Sequence, residues 1–206
     1  MASRDENENR LLGVVTGSLS RWLGLARDAV MRPWRQHRQA PDPSNLYAVA
    51  PAWQDELDTI MTTIGAISLD AWSQATDVPP VSRHSFVVAS LAQTENLLSR
   101  MPDEVYHLIF AEIADGTNAG ESVDQIARRV DDVLTWSGTY WPGRARNIAV
   151  TETTRAYGAG TLAAGMEQSR LTGRLLRKQW MTEVDMHVRE SHREAHRQVR
   201  DLSMPF

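Results

Sequence analysis

Between Leu11 and Trp34 the apolar residues return every three or four positions, as Leu11, Val15, Leu19, Trp22 with Leu23, Ala26, Val30 and Trp34. That spacing places them on one face of an α-helix, which must bury that face against something else. Trp53, Leu57, Ile60 with Met61, Ile64, Ile67 and Trp72 repeat the pattern, so a second helix is predicted from about Ala52 to Ser73. Chains with several such faces fold as helices packed on helices.

Breakers divide the rest of the chain. Residues 1–9 are polar and read as a disordered start. Pro33 should end or kink the first helix, and Gln39 to Asn45, with Pro41 and Pro43, reads as a linker. After Val78-Pro79-Pro80, Ser82 can cap a third helix running to about Arg100. Pro102 with Asp103 and Glu104 begins a fourth, because proline fits a first turn and acids favour the positive helix end. Asp115-Gly116 and Asn118 to Gly120 should close it. Ser122 opens a fifth helix to about Trp136, with Val123, Ile126, Ala127, Val130, Val133 and Leu134 turned inward.

Ser137 to Gly143 reads as a loop, and a sixth helix is predicted from about Arg144 to Gln168. Its small residues, among them Ala156, Gly158, Gly160, Ala163, Ala164 and Gly165, let another backbone approach closely. Each glycine costs such a helix up to about 1 kcal/mol relative to alanine, so packing must hold it. Leu171 to Thr182 reads as a strand or extended hairpin with Gly173 as a turn signal. His187 to Arg197 closes the chain as a short helix. The expected class is predominantly α with a small β element (α+β) in the C-terminal third, with a helical N-terminal extension. Residues 1–45 form the start, a basic amphipathic helix and a Pro linker, residues 46–137 a helical region, and residues 138–206 the terminal domain.

With 206 residues and a net charge of −4, the chain can bury a real core and is not suited to coating DNA non-specifically. Charge is unevenly spread. The first forty residues and Arg170 to Arg200 are net basic and Glu95 to Asp132 is acidic, a distribution that suggests docking on other proteins. The chain has no cysteine, which excludes disulfides and thiolate chemistry. No apolar run reaches the length of a membrane span, and Asp5, Glu6 and Glu8 replace the basic start of a secretory signal, so no membrane partner and no export by that route are expected. The basic first helix could lie on a membrane surface, but Gly13, Gly17 and Gly24 interrupt it, and a core or partner-docking role is the better reading. Trp22, Arg27, Trp34 and Arg35 are its candidate docking residues.

His192 and His196 stand four apart on a predicted helix, a spacing at which two imidazoles can face one metal, and His187, Glu190 or Glu194 would be the residues to complete a shell. The glutamate is displaced by one position from the zincin pattern, and Arg189, Arg193 and Arg197 oppose a dication. A hydrogen-bonded structural His192 and a solvated His196 are the preferred reading, with no metal and no cofactor. A metal-dependent hydrolase on His187, His192 and His196 is kept as an alternative, and a sequence-independent DNA binder as another. Glu152 with Arg155 could suggest acid/base work, yet no nucleophile elbow, P-loop or dinucleotide fingerprint accompanies it. The expectation is therefore no enzyme and no catalytic residue. The seven tryptophans could stack on bases, but on apolar helix faces they read as core or interface anchors.

Two segments occur in a specific order. Ile148, Ala149, Thr151 and Glu152 form an IA-x-TE helix, and Trp180, Thr182, Asp185, Arg189 and His192 follow as W-x-T-x-x-D-x-x-x-R-x-x-H. The pair resembles the head-morphogenesis domain of the phage Mu F-like minor head proteins, over roughly residues 120 to 206. Val150 stands where that family usually has Arg, and Arg197 where a Gly soon follows the His. Members commonly continue past Pro205-Phe206 into a β-rich stretch, which implies a domain shortened here or supplied in part. The resemblance implies a low-copy, non-enzymatic virion component, made in the host cytoplasm and held at or near the portal vertex inside the capsid. It would act in head assembly, DNA packaging or ejection. Its partners would be the portal protein, the major capsid protein or both, with packaged DNA as a further contact. Under this reading Glu152, Asp185, Arg189 and His192 join in a polar network that fixes how the two segments meet.

Overall fold

A computed structural model describes residues 2–81, 83–136, 139–182 and 189–204. Eight helices are described: α1 (Arg4–Val30), α2 (Arg32–His37), α3 (Ala50–Ala75), α4 (Ser85–Leu98), α5 (Met101–Asn118), α6 (Val123–Leu134), α7 (Tyr140–Thr172) and α8 (Glu190–Ala195). A 3-10 helix, Pro43–Ala48, lies between α2 and α3, and strands β1 (Arg177–Gln179) and β2 (Val199–Asp201) flank α8. The chain is predominantly helical with one small sheet near its end, as the periodicity predicts.

Three long helices make the centre. α7 packs most extensively on α3 and also on α1, while α1 packs on α3. α4 lies against α7 and α3, and α5 pairs with α6. The core is continuous across these elements: Leu11, Leu19, Trp22, Trp53, Leu57, Val105, Val130, Trp141, Ile148 and Ala156 belong to one buried cluster. Trp22 and Trp53 meet with ring centroids 5.4 Å apart, and each indole N–H is satisfied by a backbone carbonyl, Val49 and Leu98 respectively. Burying two such rings is among the larger contributions a core can receive.

A close helix crossing explains one glycine. A Cβ on Gly160 of α7 would stand 2.1 Å from the Ser68 carbonyl oxygen of α3, so only glycine lets the two backbones meet there. Ala156, Ala163 and Ala164 line the same buried face. This is the close approach that the small residues predict.

Several boundaries differ from the sequence reading. Residues 4–9 are helical, not disordered: Ser3 and Glu6 form a capping box that starts α1, and Asn7 is fully buried, donating to the Tyr157 hydroxyl at 3.0 Å. α5 runs through Asp115-Gly116, because Gly116 is packed where a Cβ would lie 2.7 Å from Ile126. The turn falls later, at Gly120, with φ 69°. Tyr140 to Gly143 belong to α7 and not to a loop, since a first turn needs no N–H from Pro142. The N-cap of α4 is His84, whose Nδ1 accepts from the Phe86 N–H; Ser82 lies outside the described residues. The extended run is short, with α7 continuing to Thr172 and Gly173 ending it at φ 67°. No described helix is long and apolar enough to cross a membrane.

Candidate functional site

The first motif segment is sunk in the bundle. Ile148, Ala149 and Glu152 are buried, the glutamate being 4% exposed. Its carboxylate accepts from the Thr94 hydroxyl of α4 and from Arg155 Nη1, at 2.6 Å to Oε1 and 2.5 Å to Oε2. Arg155 also donates to Thr94 at 3.2 Å. Glu152 and Arg155 line a cavity of about 220 Å³ together with Arg144, Asn147 and Thr151. Each oxygen of a buried carboxylate needs such a donor, and removing one partner would leave a desolvated charge. The arrangement is a clasp between α4 and α7. Thr94 had no signal in the sequence, because it joins Glu152 only through the packing of two separate helices.

The second segment is a hairpin carrying α8 in its loop. β1 and β2 pair antiparallel, with Arg177 opposite Asp201, Lys178 opposite Arg200 and Gln179 opposite Val199. The Trp180 N–H donates to Gln198 and the Arg197 N–H returns to Trp180 at 2.7 Å. Arg197 achieves this at φ 64°, in the left-handed region. It is the position at which the family resemblance expects Gly, and the turn is made here despite the side chain. The Trp180 and His192 rings meet edge to face at 5.3 Å.

The polar network expected from sequence has separate parts in the described structure. Glu152 bonds Thr94 and Arg155, whereas Arg189 and His192 are exposed on the hairpin. Asp185 lies outside the described residues, as does His187 of the metal alternative. α8 stops at Ala195, and His196 has φ −55° and ψ 128°, so the four-residue helical spacing that would aim His192 and His196 together is not continued. The His196 Nδ1 accepts instead from the Thr182 N–H at 3.3 Å, so His196 is half-buried and hydrogen-bonded whereas His192 is the exposed one, the reverse of the sequence expectation. Among the described residues, no group of three His, Asp or Glu is placed to hold a metal ion.

The candidate docking face of the first helix is turned inward. Trp22 is fully buried and presents no surface to a partner, because the helix face it lies on forms the bundle core. Arg27 is bound by both oxygens of Asp131 in α6, each at 2.6 Å, which holds its guanidinium firmly charged. Half-buried Trp34 donates to Asp124, and Arg35 pairs with Asp28. The basic flank of α1 thus meets acids of its own chain. Arg21 likewise grips Glu56 of α3, and this hydrogen bonding lowers the glutamate's pKa, with Ser18 adding to the effect against partial burial.

A larger cleft of about 710 Å³ opens between α7 and the hairpin. Thr154, Gly158, Thr161 and Gly165 form its floor, Arg177, Lys178 and Trp180 stand on the hairpin side, and Arg4 on the other. Sequence reasoning missed Arg4 because the start of the chain was read as disordered. The Ser-x-x-Glu spacing of Ser3 and Glu6 was the available signal for a helix there.

Residues 108–206 match the family model described as phage Mu protein F like protein. No curated protein and no solved structure matches the chain. The match begins at Leu108 within α5, well before residue 138, and takes in α6, α7 and the hairpin. The resemblance carried by Ile148 to His192 is thereby shown: residues 108–206 are similar to that family.

Proposed function

We propose that this chain, a phage head-morphogenesis protein of the Mu F-like family over residues 108–206, is a minor component of the virion bound at or near the portal inside the capsid. It acts there in head assembly, DNA packaging or ejection, as a structural part and not as a catalyst. The observation that supports this most directly is the use made of the first motif segment. Ile148 and Ala149 are core, and Glu152 is clasped by Thr94 and Arg155, so these side chains hold helices together. Partner contact then falls to the surface, where an acidic α5–α6 end and an arginine-bearing hairpin give the molecule two electrostatically distinct faces.

The test is co-expression of the full chain with the portal and major capsid proteins of its phage, followed by imaging of assembled particles. Co-purification with the portal, and density at the portal vertex, are the expected results. Association with neither protein would overturn the reading. Deleting residues 1–40 is not a usable probe of docking, because α1 supplies Leu11, Leu19 and Trp22 to the common core and its loss would unfold the bundle.

A further inference from the structure

We infer that the cleft between α7 and the hairpin is a docking groove for an acidic amphipathic helix of a partner protein, an inference that rests on the minor-head reading above. The floor residues Thr154, Gly158, Thr161 and Gly165 follow one another at intervals of four, three and four, the spacing of a helix–helix seam. α7 already uses its opposite small-residue face in this way, where Gly160 admits the backbone of α3. On the cleft side the seam is open: Thr154, Gly158 and Thr161 are exposed. Among the described residues, a Cβ on Gly158 would meet nothing within 4 Å.

That glycine is a local cost without a local return. It weakens a helix interior by about 1 kcal/mol relative to alanine, and no described residue occupies the space it leaves. A second helix laid along the seam would use that space, as α3 does at Gly160. Leu162, Leu176 and Leu202 give the groove apolar contact, and Gly165 already touches Leu202, where a Cβ would lie 3.4 Å away.

Charge identifies the occupant. Arg4 and Arg177 line the cleft, and no carboxylate does among its described lining residues. Arg4 is held over the floor by the Thr154 hydroxyl at 2.8 Å, not by an acid. Arg177 pairs with Asp201 across the hairpin, 3.2 Å apart and largely in solvent, where such pairs exchange partners at little cost. A helix with an apolar stripe flanked by Glu or Asp satisfies both surfaces. Nucleic acid is the poorer fit, because the floor is built of small residues and the whole chain is net negative.

Gly158→Leu plugs the groove and raises helix propensity, so α7 should remain folded. The experiment measures binding of the full-length protein, Gly158→Leu and Arg4→Glu to the portal and major capsid proteins of its phage, with circular dichroism and thermal unfolding of each variant. The expected result is unchanged or higher thermal stability in Gly158→Leu with affinity reduced more than about tenfold. Arg4→Glu should weaken binding and flatten its salt dependence. Undiminished binding by both folded variants would overturn the groove while leaving the minor-head reading intact. Failure of the unsubstituted protein to bind either partner would overturn both. If the unsubstituted protein retains a DNA duplex and Gly158→Leu releases it, the acidic helix is the wrong occupant.

Discussion

Ile148, Ala149 and Glu152 lie buried in α7, whereas in the second motif segment Trp180 and Thr182 are half-buried and Arg189 and His192 are exposed. The first segment is held by long-range packing: α7 rests on α1, α3 and α4, and its polar residue finds partners on another helix. The second is held mainly by its own hydrogen bonds, between β1 and β2 and between Trp180 and residues 197 and 198. Leu202 of this segment lies beside Gly165 of the bundle, where a Cβ would stand 3.4 Å away. A two-stranded hairpin is marginal alone. The bundle therefore supplies a rigid platform, and the hairpin is the part that a partner can most readily stabilise or displace.

The contrast breaks most severely at Gly160. Gly160→Ala places a Cβ against the Ser68 carbonyl and should cost about 1–3 kcal/mol as α3 and α7 are forced apart, read as a lower midpoint in denaturant unfolding. An unchanged midpoint would mean that the crossing is looser than described. The hairpin responds in the opposite sense. Arg197→Gly removes a left-handed strain of about 1–2 kcal/mol for a residue with a Cβ, against about 0.5–1 kcal/mol of added chain entropy. Slower hydrogen exchange of the Arg197 and Trp180 amides is expected, with little change in the bundle. Slower exchange throughout α3 and α7 would show the two regions to be one cooperative unit.

The smallest effect concerns Arg21 and Glu56, which join α1 to α3 inside the platform. The guanidinium holds the Glu56 carboxyl below its ordinary value, so the stabilisation is complete above the unfolded pKa. It is lost as pH falls through the lower folded value. Because Arg21 is 61% exposed, the pair contributes roughly 0.2–1 kcal/mol. Glu56→Gln should lower the melting temperature slightly at neutral pH, and the gap should close in acid. A gap that persists below the folded pKa would assign the effect to packing instead of charge.

Legibility followed the range of the interactions. The inward faces around Trp22, Trp53, Leu57 and Ile64 were readable because an amphipathic helix writes its burial into a local period. The Ser122 cap was readable for the same reason, since its partner Gln125 is three residues away. The small residues of α7 announced a close approach, but not that Gly160 would make it and Gly158 would be left open. The order of Ile148 to Glu152 and Trp180 to His192 was enough to recognise the family over the C-terminal part of the chain.

What sequence could not supply was direction. A basic amphipathic helix with exposed-looking arginines and tryptophans reads equally well as an arm for a partner and as a core element, since its period fixes a face but not its neighbour. Only the fold turned that face inward, placing Trp22 in the core and giving Arg27 to Asp131, more than a hundred positions away in the chain. The same holds for Thr94 with Glu152 and for the cleft over Gly158. The helices, their caps and the family were written in local spacing, whereas the clasp and the groove arise from which surfaces meet, and that is settled by packing among elements distant in sequence.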